Sequence, residues 1–115
     1  MVDITKTRAQ LKTRAGKSLA IIEPGEALST EDDATLDDLV DPLIAQLAAD
    51  NVVYIDDSEA IDVTYFLPLA RLLANLAGPD FGSPINEEAQ VRDENILKRL
   101  ASTRPTYEVH PGEYF

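Results

Sequence analysis

Between positions 36 and 47 apolar residues recur at steps of three and four. Leu36, Leu39, Val40, Leu43, Ile44 and Leu47 therefore fall on one stripe of an α-helix. Ser29 and Thr30 precede this run and acids follow them. Side-chain oxygens accept from free amides at a helix start, and negative charge favours that end of the dipole. Pro42 lies inside the stripe and removes the amide that would bond to Asp38, so a bend or two shorter helices are expected there. Upstream, Ile4, Leu11, Ala15 and Leu19 define a first helix capped by Asp3. Gly16 costs about 1 kcal/mol relative to Ala and should leave its end ragged before the turn at Glu23-Pro24-Gly25-Glu26.

Asn51 can close the second helix, and Val52-Val53-Tyr54-Ile55 is β-branched and aromatic enough for a short strand. Such a strand needs a partner from this chain or from a neighbouring subunit. Asp56 to Glu59 reads as a loop, after which Asp62 or Thr64 caps a third helix. Pro68 then falls in or next to its first turn, and Gly78-Pro79 ends it, with a left-handed glycine expected at the cap. This helix carries Phe66, Ala70, Leu73, Ala74 and Ala77 on one side and Tyr65, Leu69, Leu72 and Leu76 on another. Only a strip through Arg71 and Asn75 is polar. A helix so apolar is either central to a bundle or buried between subunits. The chain has few other helices to surround it, so Tyr65, Leu69, Leu72 and Leu76 are expected to meet a neighbouring subunit.

Ser83-Pro84 suits the opening of a fourth helix, whose sparser apolar positions Ile85, Ala89, Ile96, Leu97 and Leu100 suit the surface. From Arg104 onward two prolines make a continued helix untenable, and the segment reads as extended. The pattern predicts a mainly α fold, a small bundle of about four helices with one short strand over 1–103, then an extended C-terminal tail over 104–115. Tyr107, Tyr114 and Phe115 give that tail large apolar area with no local core, which favours docking on a partner. The docking residues expected are Arg104, Pro105, Thr106, Tyr107, Val109, Tyr114 and Phe115, with Thr106 to Val109 adding to a partner's sheet edge. Folding back onto the chain's own helices is the alternative. No internal repeat or low-complexity tract is visible.

Length and charge sharpen this picture. The chain has 115 residues, enough for one core but too few for a large cleft. It has no cysteine, which removes disulfides, thiolate metal sites and cysteine nucleophiles. The longest mainly apolar stretch, 63–77, falls short of the roughly 20 residues of a membrane span, and no targeting segment is read, so a soluble intracellular protein is expected. Residues 1–20 hold five bases and one acid, +4. Residues 21–62 hold thirteen acids and no Lys or Arg, −13, and the remainder contributes −2. Nucleic acid is repelled overall, yet Lys6, Arg8, Lys12, Arg14 and Lys17 could touch DNA phosphate or an acidic partner. Such polarity invites head-to-side assembly.

Catalytic chemistry finds little to use. Asp32, Asp33, Asp37, Asp38 and Asp41 lack the spacing of a calcium loop and read as a solvated helix face. His110 is the only histidine and lies in the tail, so neither a histidine pair for zinc nor a supported triad can form. Gly16-Lys17-Ser18 lacks the upstream glycine of a phosphate loop. No metal, no cofactor and no enzymatic activity are expected.

The run Val53-Tyr54-Ile55, the segment Phe66-Leu67-Pro68-Leu69-Ala70, Pro79-Asp80-Phe81-Gly82 and the ending Arg104-Pro105-Thr106-Tyr107-Glu108 through Glu113-Tyr114-Phe115 together resemble the head-tail adaptor proteins of tailed bacteriophages, also called connector or head-completion proteins. The resemblance implies a structural virion subunit, assembled in the host cytoplasm as a ring, usually of twelve copies, between the portal protein and a tail or nozzle protein. Its C-terminal segments would contact the portal, and DNA would pass through the ring without sequence-specific binding. A small acidic regulatory module, such as a nucleic-acid mimic, is the competing expectation from the −13 block.

Overall fold

The computed structural model describes residues 4–23 and 25–103. Four helices form the bundle: α1 (Arg8–Ser18), α2 (Thr30–Ala49), α3 (Val63–Ala77) and α4 (Glu87–Thr103). Two short strands, β1 (Thr5–Lys6) and β2 (Ile61–Asp62), pair antiparallel with Thr5 opposite Asp62 and Lys6 opposite Ile61. This ladder ties the start of α1 to the start of α3, because β1 leads into one helix and β2 directly into the other.

The ladder explains why the first helix starts later than the apolar pattern suggests. Residues 5–6 are occupied in pairing, so α1 begins at Arg8 and Ile4 stays exposed. Its cap is Thr7 in a capping box, with Gln10 N donating to Thr7 Oγ1 over 3.2 Å and Thr7 N to Gln10 Oε1 over 2.8 Å. Asp3 lies outside the described residues. Gly16 lies in the last turn of α1 and is buried. A Cβ there would stand 2.8 Å from Leu28 Cδ2, so its missing side chain lets the 19–28 connection cross close to the helix.

Ser29 caps α2 by accepting from Asp32 N, and the helix runs unbroken through Pro42. The expected strand at 52–55 does not form. Asn51 takes a left-handed conformation, φ 57°, and Val52 N donates back to Leu47 O over 2.9 Å, while Asn51 N donates to Ala48 O. That is a Schellman closure, and the β-branched Val52 and Val53 are buried as its apolar seal instead of joining a ladder.

Asp62, not Thr64, caps α3, accepting from Thr64 N over 2.8 Å. The helix passes into a 3₁₀ turn at Gly78–Phe81, and the left-handed glycine is Gly82, φ 84°. Gly78 has right-handed backbone, and Ser83 N donates to its carbonyl over 2.8 Å. A Cβ at 78 would meet Ser83 O at 2.8 Å, so this position needs glycine for the close chain crossing and not for its φ. The fourth helix starts past Ser83-Pro84, at Glu87, because Asn86 caps it: Asn86 Oδ1 accepts from Ala89 N over 3.0 Å.

The core is one cluster centred on α3, which packs on α1, α2 and α4. Leu11 and Ala15 come from α1, Leu36, Val40, Leu43 and Leu47 from α2, Ile61 from β2, and Leu97 from α4. Most of both apolar sides of α3 is covered in this way, with Leu76 left open. The helix is central to the bundle of a single chain.

Candidate functional site

That arrangement corrects the subunit-interface expectation for α3. Leu69 is 0% exposed, Leu72 3% and Tyr65 8%, all within the chain's own core. Three partner helices in one chain cover what the sequence pattern assigned to a neighbour. Leu76 alone of the four is open, at 37%, and the other exposed apolar residues of α3 are Val63 and Leu67.

The five bases of the N-terminal region divide between two sides of α1. Arg8 and Lys12, one turn apart, face α2. Arg8 Nε donates to Asp37 Oδ1 over 2.7 Å and Nη1 to Asp41 Oδ1 over 2.7 Å. Further bonds run from Nη1 to Ser58 Oγ, 3.1 Å, and from Nη2 to the Asp37 carbonyl, 3.0 Å. Lys12 Nζ stands 3.1 Å from both Asp33 Oδ1 and Asp37 Oδ1. Glu59 adds to this node by accepting from Arg8 N over 3.3 Å. The spacing 33, 37, 41 puts three carboxylates on one line of α2, one turn apart, directly against the two bases.

The charges in this node reinforce one another. Hydrogen bonds first to Asp41 and then to Asp37 raise the Arg8 pKa above its ordinary value. For Lys12 burial is the largest influence and pushes its pKa down, but hydrogen bonds to Asp33 and Asp37 outweigh it and the net direction is up. Asp37 is lowered by the hydrogen bond from Arg8 and then by that from Lys12. Arg8 and Lys12 are thus committed inside the chain. The expectation that they meet DNA or an acidic partner is corrected, because the aspartates that satisfy them belong to α2.

Gln10, Arg14 and Lys17 follow at steps of four and three on the opposite side of α1, with Lys6 just before it. Lys6, Arg14 and Lys17 border a shallow concavity with Phe66 of α3, and Lys6 Nζ sits 5.7 Å from the Phe66 ring centroid. These three of the five predicted bases remain presented outward. Among the described residues no group of His, Cys, Asp or Glu is placed to hold a metal ion, and no helix is long and apolar enough to cross a membrane.

Across the molecule, the polar strip of α3 turns out to be the seam for α4. Arg71 Nε donates to Asp93 Oδ1 over 2.9 Å, and Asp93 is 2% exposed. Asn75 Nδ2 donates to the Asn86 carbonyl and Asn86 N to Asn75 Oδ1, both over 2.8 Å. Sequence reading missed Asp93, Asn86, Ser58 and Glu59. An Asp at the apolar phase of α4, four residues before Leu97, was the available signal for Asp93. Beside this seam a groove of about 210 Å³ opens between α2, α3 and the start of α4, floored by Leu43, Leu47 and Leu72 and rimmed by Leu76 and Ile85. The docking residues expected in the tail, Arg104, Pro105, Thr106, Tyr107, Val109, Tyr114 and Phe115, lie outside the described residues. No family model, curated protein or solved structure matches the chain.

Proposed function

We propose that the chain is a non-enzymatic virion subunit that forms a ring joining a portal protein to the tail and helps close the DNA-filled head. The observation that carries this reading is the division of α1. One side is neutralised by α2, while Lys6, Arg14 and Lys17 remain as an outward cationic stripe on a chain of net charge −11. Exposed acids on the same chain, among them Glu31, Asp38, Asp56 and Asp57, complement that stripe on a second copy. Contacts between unlike patches are head-to-side, and they close into rings when the rotation between copies allows. Val63, Leu67 and Leu76 supply apolar area for such a contact. The likeness to head-tail adaptors over the 53–55, 66–70, 79–82 and 104–115 segments adds the portal, the tail or nozzle protein and passing DNA as partners, and the virion as location.

Native mass spectrometry of the full chain with purified portal tests the reading. A ring on the portal that is lost in Arg14→Glu/Lys17→Glu and in the Tyr107→Ala/Tyr114→Ala/Phe115→Ala variant is the expected result. A full-length chain that never joins the portal overturns it.

A second reading, an acidic regulatory module or nucleic-acid mimic, is favoured by the core being closed within one chain, which suits a monomer. It requires a basic protein partner whose binding weakens with salt. A pull-down that returns no basic partner removes it.

A further inference from the structure

The groove between α2, α3 and α4 is apolar, open and walled by fixed residues. Its floor is core leucine, and the double hydrogen bond between Asn75 and Asn86 holds the 83–86 segment, and with it Ile85, against α3. An apolar cavity of about 150 Å³ is enough to bind benzene, so about 210 Å³ accepts one aromatic ring. Of the chain's seven aromatic residues, Tyr107, Tyr114 and Phe115 come after the last described residue.

We infer that this groove is the seat for the chain's own 104–115 segment, with one ring of the Tyr114–Phe115 pair inserted between Leu76 and Ile85. Reach decides which ring. The seat between Leu76 and Ile85 lies at the start of α4, and from Glu87 to the end of the helix at Thr103 the rise is about 24 Å at 1.5 Å per residue. An extended chain spans about 3.3–3.6 Å per residue. Tyr107, four residues on, spans about 14 Å and falls short, whereas Tyr114 and Phe115, eleven and twelve residues on, span about 36 Å or more and reach with slack. Effective concentration decides between this chain and another. A segment tethered by about ten residues meets its groove at millimolar effective concentration, far above the concentration of second copies in dilute solution. A partner that takes the same aromatics empties the groove, so segment release and groove exposure are one event. The inference stands on the groove and the reach, independently of the ring reading.

The chain has no cysteine, so Gly112→Cys gives a single attachment point for a spin label on the full-length protein. In dilute protein without any portal, the label should broaden the methyl NMR signals of Leu76, Ile85 and Leu43 to near disappearance. Those signals should recover in the same labelled protein carrying Tyr114→Ala/Phe115→Ala. Labelled chains mixed with unlabelled, isotope-enriched chains should leave the enriched methyls unchanged. Absence of broadening in the first sample overturns the inference, and so does broadening in the mixed sample, which would make the occupant a second copy. Failure here leaves portal binding unaffected, and failure to bind portal leaves these spectra unaffected, so the two readings are separable.

Discussion

Helix α1 and helix α4 are attached to the same core by opposite devices. The seam between α1 and α2 is a shared network of two bases and three aspartates, with Asp37 43% exposed, so that loss of Asp37 leaves Arg8 on Asp41 and Lys12 on Asp33. The seam between α3 and α4 is one-to-one: a single buried carboxylate, Asp93, held chiefly by Arg71, and one reciprocal amide pair, Asn75 with Asn86. Redundant, wet contacts tolerate change and contribute modestly. A buried charge with one close partner does not, because deletion strands the charge in a poorly solvating place. The α1 side is therefore suited to vary its surface charge, and the α4 side to hold a fixed geometry around the groove.

The sharpest way to break this contrast is Arg71→Met. Removing one member of a buried pair typically costs about 3–5 kcal/mol. Arg71 is 42% exposed and Arg92 Nε stands 3.9 Å from Asp93 Oδ1, so a loss of about 2–3 kcal/mol in denaturant unfolding is expected. Arg71→Met/Asp93→Leu should recover most of it, since the stranded charge leaves with its cation. A single-variant loss no larger than that of a surface pair would mean that the two seams are alike.

Asn75→Ala comes next, at about 1–2 kcal/mol for two hydrogen bonds that are partly open to water. Its signature is local. Asn86 both pairs with Asn75 and caps α4, so amide exchange at Ala89 and Gln90 should accelerate while amides in α2 keep their protection. Uniform acceleration across the chain would instead assign Asn75 a global role.

How far these seams were legible follows from what each needs. The α2 stripe, its Ser29 cap and the need of α3 for cover on both sides are local or periodic facts, and periodicity reports a buried face reliably. What periodicity cannot report is the identity of the cover, which is why Tyr65, Leu69 and Leu72 were assigned to a neighbour although α1, α2 and α4 supply it. The Val52–Ile55 run carried strand propensity, but the left-handed turn at Asn51 turned it into a helix seal, a tertiary outcome that propensity does not encode. The bases of α1 were visible as a set. Their division into a committed pair and an outward stripe required knowing that α2 crosses on the side of Arg8 and Lys12.

The smallest effect belongs to the redundant seam, and its pH dependence is the discriminating feature. Asp37→Asn keeps size and removes the charge shared by Arg8 and Lys12. Because the Asp37 side chain is nearly half exposed, the expected loss at pH 7 is about 0.5–1 kcal/mol after screening. The folded-state pKa of Asp37 lies below its ordinary value of 3.8, so its stabilisation is fully present above that value and disappears as pH falls through the folded one. Arg8 and Lys12 are both shifted upward, so neither loses its charge on the acid side. The gap between native and Asp37→Asn chains should therefore be constant from about pH 8 to pH 5, then narrow below about pH 4 and close once Asp37 is protonated in the folded chain as well. Raising the salt at pH 7 should narrow the same gap, since the pairs lie within reach of counterions. The Arg71→Met gap should keep most of its size, because Asp93 is shielded from them. A pH-independent, salt-insensitive Asp37→Asn gap would locate the loss in packing or in the α2 backbone and remove the electrostatic account of how α1 is held.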